Sequence, residues 1–154
     1  MANVDMEFLR QEYFRLQDTV ETFDERALTI KSWSITLGMG GIGTAFLEKH
    51  SIVLLLSGLA ALLFWVTEGF WKTFQQAYYP RIRHIEAMLQ KGTTEELSSP
   101  FISHAWSEAW AKNRGRTLIR VLLWPHVAVP HTLVAFFGIA LWFWNRAAPF
   151  IVEK

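Results

Sequence analysis

Three stretches of the chain carry no lysine, arginine, aspartate or glutamate: residues 32–47, 51–67 and 121–145. A helix needs about 20 mostly apolar residues to cross a hydrocarbon layer ~30 Å thick. Residues 121–145 meet that requirement alone. Residues 52–71 meet it if Glu68 lies near the headgroups. Residues 32–47 meet it once Ile30 and Lys31 are added, the lysine stem snorkelling to the polar layer. Only Glu48, Lys49, His50 and Ser51 join the first two runs, which predicts a tight helical hairpin. The pattern predicts an all-α integral membrane protein forming a single membrane domain over residues 1–154, with spans at 31–49, 51–71 and 118–145. The first run is short and glycine-rich, so residues 32–67 also admit a re-entrant pair that does not fully cross.

The polar regions are periodic too. Leu9, Tyr13, Leu16, Val20, Phe23, Ala27 and Ile30 alternate spacings of four and three, a heptad seam along one amphipathic helix over residues 4–30. No proline or glycine lies between residues 4 and 37, so that helix can enter the first span unbroken. Beyond the second span, Phe74, Tyr78, Ile82, Ile85 and Leu89 continue an apolar stripe through an arm at 72–91. Pro80 should kink or end the helix near Tyr79, and Gly92 reads as a stop. The two arms leave adjacent spans on one side and should pair as an antiparallel cytoplasmic hairpin. The seam residues Leu9, Tyr13, Leu16, Val20 and Phe23 serve either that pairing or a neighbouring subunit. After a polar connector, Ser99 and Pro100 suit the cap and first position of a short interfacial helix at 99–113, with Trp106 and Trp110 one turn apart. Residues 112–116 read as a basic turn.

Charge sets the orientation. Twelve lysines and arginines lie before the first span or between the second and third, against three on the other side (Lys49, Arg146 and Lys154). Cytoplasmic segments carry the excess of basic residues. The expected topology has the N-terminus in the cytoplasm and the C-terminus outside the inner or plasma membrane. The net charge of +1 gives no field to steer a polyanion, so no nucleic acid partner is expected. There is no cysteine, which removes disulfides, thiolate metal sites and thiol nucleophiles.

Candidate chemistry is sparse. Gly38, Gly40, Gly41 and Gly43 match a dinucleotide-binding spacing, but no strand precedes them. They read instead as a helix-packing face, since small residues let backbones approach closely in lipid. Trp124-Pro125-His126-Val127-Ala128-Val129-Pro130-His131 places two prolines and two histidines in the inner half of the third span. Ionisable residues at that depth are functional candidates, and Glu68 is the acid at comparable depth. Glu68, His126 and His131 are therefore the expected polar or gating cluster. They offer at most three ligands, so no metal is expected, and no cofactor or catalytic set is visible. Lys112, Arg114, Arg116 and Arg120 read as anchors to anionic lipid headgroups.

The order of parts resembles small bacterial membrane proteins of the SLATT type. The likeness covers residues 5–90, chiefly Arg26-Ala27-Leu28-Thr29-Ile30-Lys31-Ser32-Trp33 leading into the hairpin and the arm after Trp71. The span at 121–145 stands outside that two-span pattern. The resemblance implies a non-enzymatic, homo-oligomeric, pore- or channel-like effector of a bacterial stress or antiviral defence system. The alternative is an accessory or scaffold subunit that docks a protein partner through its cytoplasmic hairpin.

Overall fold

The computed structural model describes residues 2–92 and 102–151. The expected Ser99–Pro100 helix start and its polar connector lie outside the described residues. Among the described residues every element is a helix: α1 (Ala2–Glu48), α2 (Ile52–Gln76), α3 (Tyr79–Lys91), α4 (Ile102–Leu122) and α5 (Pro125–Ala147). Two regions are long and apolar enough to cross a membrane, one within Ile52–Lys91 at mean hydropathy 2.0 and the other Pro125–Ala147 at 1.7.

α1 is one rod of 47 residues, about 70 Å at 1.5 Å per residue. It passes through Gly38, Gly40, Gly41 and Gly43 without a break. Gly38 and Gly41 there lie against α5 and α2, so packing offsets the poor helix propensity of glycine. The rod stops where Lys49 turns left-handed (φ 58°), and α2 begins three residues later. α2 ends at Gln76, and Pro80 sits in the first turn of α3, where a missing amide hydrogen costs nothing. Gly92 ends α3 in the left-handed conformation (φ 64°).

The second half of the chain departs from the expected boundaries. α4 runs to Leu122, straight through the expected basic turn at 112–116, so the short helix ends nine residues later than the expected 113. One internal glycine, Gly115, costs only about 1 kcal/mol. Beyond it, Leu118 and Leu122 pack over Gly69 of α2. The third hydrophobic helix begins at Pro125 rather than at residue 118. A residue before proline is pushed out of the helical region, and Trp124 is extended (ψ 130°). Pro125 thus starts α5 instead of breaking it. Pro130 lies inside α5, which remains helical around it.

The packing falls into two zones. Leu9, Leu16 and Val20 of α1 close on Ile82, Ile85 and Met88 of α3. The other zone joins α1, α2 and α5. There Gly58 and Gly138 bring α2 and α5 into backbone contact: a Cβ on Gly138 would sit 2.7 Å from the Leu54 carbonyl oxygen and 2.9 Å from the Gly58 nitrogen. The outward faces of α2 and α5 are apolar, with Leu59, Leu63, Phe70, Leu133, Phe136 and Phe137 all exposed. Inside the zone the polar Ser34, Glu68 and His131 are buried among apolar Leu54, Ala61, Val134 and Ala135. Apolar faces left exposed around buried polar groups are not the usual arrangement of a water-soluble bundle.

Candidate functional site

Lys31 and Ser34 are three residues apart on α1, so they share a face. Glu68 projects from α2 and His131 from α5, directly after Pro130. These four side chains meet. The Glu68 Oε2 atom lies 2.8 Å from His131 Nε2, and His131 Nδ1 lies 2.7 Å from Ser34 Oγ. The Lys31 ammonium is 2.8 Å from Glu68 Oε1. That contact is an ion pair whose angle falls outside hydrogen-bond geometry. The Glu68 and His131 side chains have no exposed surface, and the Lys31 side chain keeps 16%. The network is therefore closed except along the lysine.

Its chemistry follows from the partners. An ionised Glu68 accepts the proton on Nε2. Nδ1 then has two satisfactory states: a neutral ring accepts from the Ser34 hydroxyl, and an imidazolium donates to the Ser34 oxygen.

His126 is not part of this set. It is exposed in the first turn of α5, its ring 5.3 Å from that of Trp124. Residues five apart on a helix point about 140° from each other. α5 stays helical through Pro130, so the two histidines keep separate faces. The expected trio is corrected to Glu68 and His131 with Lys31 and Ser34. The available signal was the spacing of Lys31 and Ser34 at the entrance to the first span, where the lysine was instead read as snorkelling.

The expected packing face divides. A Cβ on Gly38 would meet Val134 at 2.3 Å, and one on Gly41 would meet Ser57 Oγ at 2.1 Å. Gly40 and Gly43 face open space. The expected subunit seam is occupied within the chain. Leu9, Leu16 and Val20 are buried against α3, Tyr13 donates to Glu86 at 3.3 Å, and the Phe23 ring lies 4.9 Å from Trp71. These five residues are thus packed on their own chain and leave no free apolar seam.

The same arm interface carries ion pairs that the seam did not announce. Arg81 holds Glu12 through two hydrogen bonds, 2.8 and 3.0 Å, with both side chains buried. Lys72 pairs with Asp24 and donates to Gln75 at 3.0 Å, and Gln75 donates to the Val20 carbonyl at 2.9 Å. Burial works to raise the Asp24 carboxyl, but hydrogen bonds from Lys72 and Gln75 and the charges of Lys72 and Lys31 hold it below its ordinary value. Burial, and then the charge of Asp24, raise the Tyr79 phenol. Of the expected lipid anchors, Lys112, Arg116 and Arg120 are exposed at successive turns of α4, and Arg114 lies on the same helix with its side chain outside the described residues.

No protein-family model matches the chain, and neither a curated protein nor a solved structure matches it. The fold and site define an all-helical protein with two helices long and apolar enough to span a membrane.

Proposed function

We propose that the chain is a non-enzymatic integral membrane protein of the inner or plasma membrane, whose helices α1, α2 and α5 cross it with the N-terminus in the cytoplasm. In this reading it works as a homo-oligomeric, pore- or channel-like effector of a bacterial stress or antiviral defence system. The Lys31–Glu68–His131–Ser34 network is the latch that holds the three spans closed. That network is the observation that carries the reading. Burying a lysine–glutamate pair in lipid is expensive, and packed apolar side chains would hold three helices at less cost. A latch, unlike a core, must be able to open, and polar partners can be exchanged for water when the spans part.

Two further features support the reading. The second half of α1 packs along both α2 and α5, which suits a third span of lower hydropathy. Its outward face carries Ser32, Thr36, Gly40 and Thr44, all exposed in one chain. These hydroxyls and glycine suit a helix contact or an aqueous lumen better than lipid.

The test is ion flux from vesicles reconstituted with the purified protein, together with its mass in detergent. E68Q, which weakens both contacts of the acid, should raise basal flux several-fold over wild type. A monomer in detergent without flux in either form would sink the proposal. A stoichiometric partner that co-purifies through the arms would replace it with the scaffold reading.

A further inference from the structure

Two interruptions of the helices lie on either side of one cleft. α2 gives way to α3 after Gln76, and α4 gives way to α5 after Leu122. Between these elbows opens a cleft of about 200 Å³, its polar and aromatic lining drawn from Thr73, Gln76, Trp110, Thr117, Arg120 and Trp124. No aspartate or glutamate lines it, and Arg120 is its charged group. Among the described residues no carboxylate holds this arginine, whereas Arg81 is held by Glu12. Outside the cleft lining, Ile119 and Leu123 are 64% and 70% exposed, an apolar shelf on the outer side of the segment that carries Arg120.

That combination has a specific chemistry. A guanidinium offers parallel N–H donors that match phosphoryl oxygens in pairs. Threonine and glutamine supply neutral hydrogen-bonding groups without repelling an anion. Indoles favour the level of the headgroups, where one end of a ligand is wet and the other apolar. A soluble anion would need the arginine alone; the exposed shelf gives an acyl chain somewhere to lie. We propose that this cleft is a phosphate site filled by the headgroup of an anionic phospholipid, with Arg120 binding the phosphoryl oxygens. A lipid seated there touches residues flanking both elbows and ties them together. The expected basic anchor thereby becomes one defined site rather than a diffuse patch.

The lipid form rests on the membrane placement proposed above but not on pore formation, and the assay separates the two. Full-length protein in neutral detergent is titrated with phosphatidylglycerol, phosphatidylcholine or inorganic phosphate, reading the thermal midpoint and the lipid retained in native mass spectra. Phosphatidylglycerol should raise the midpoint and one molecule should be retained, because a ligand that binds only the folded state stabilises it. R120Q should weaken this about tenfold or more, because it removes the charge and the paired N–H donors together. R120K, which keeps the charge and loses the fork, should fall between. R146Q, at the opposite end of α5, should match wild type. Equal shifts with phosphatidylcholine, or a wild-type response from R120Q, would overturn the site. An equal shift with inorganic phosphate alone would overturn the lipid as its occupant. Protein that stays soluble without detergent would instead count against the membrane placement itself.

Discussion

Glu68 contacts two other groups of the network, and its removal has a different consequence from removing the network whole. E68A leaves the Lys31 ammonium and the His131 ring facing an empty space in a closed site. Breaking a buried pair from one side costs about 3–5 kcal/mol, whereas replacing both partners with apolar side chains of similar volume is often neutral. E68A should therefore lower the thermal midpoint in detergent sharply, and K31M/E68M should recover most of the loss; equal melts for the two variants would contradict this account. Asp24 makes the contrasting case. Its folded-state value is lowered, so its contribution is present above the ordinary carboxylate range and is lost as pH falls through the lowered value. D24N should remove a small part of the midpoint drop seen between pH 5 and about pH 3, with no difference from wild type in slope above pH 5. The effect is small because the Asp24 side chain is half exposed, and water screens such pairs. Of these residues, Glu68 and His131 were legible in the sequence because charge and imidazole stand out in an apolar run. Lys31 and Ser34 were not, since a lysine at the end of a span looks the same whether it reaches water or a partner. His126 was misread because a proline that starts a helix and one that bends it share the same letter.

At the scale of the elements, the helices were legible and several of their ends were not. The heptad in α1 and the apolar runs behind α2 and α5 depend on periodicity and hydropathy, which are local. Where α4 continues past Gly115, Leu118 and Leu122 meet Gly69, a contact between residues about fifty apart. No window of sequence contains that contact. Tight contacts of the same kind make two predictions. G138A should be poorly tolerated, because the added methyl group would meet backbone atoms of Leu54 and Gly58, which cannot turn aside as a side chain can. Overpacking of that kind costs about 1–3 kcal/mol, to be read as a lowered midpoint in detergent; G40A, facing open space, should cost nothing on the same measurement. The turn after α1 predicts the opposite sign. Lys49 holds φ 58°, a conformation that costs a residue with a Cβ about 1–2 kcal/mol. K49G should relieve that strain, and after the added freedom of the unfolded chain should still raise the midpoint.

The whole molecule combines one unbroken helix with a broken partner. α1 runs through both packing zones, while the strand of packing opposite it is cut between Gln76 and Tyr79. The core that joins Leu9, Leu16 and Val20 to Ile82, Ile85 and Met88 shares no buried residue with the core around Ala61, Val134 and Ala135. Separate cores that share no buried residue can open separately. The buried bidentate contact between Glu12 and Arg81 lies wholly in the first zone, so E12A strands an arginine there and nowhere else. Hydrogen exchange followed by mass spectrometry on E12A should show α3 losing most of its protection while α5, around His131, stays as protected as in wild type. Simultaneous loss in both would mean that α1 transmits every disturbance along its length. In that case a change in the arms would reach the Lys31–Glu68 contact directly.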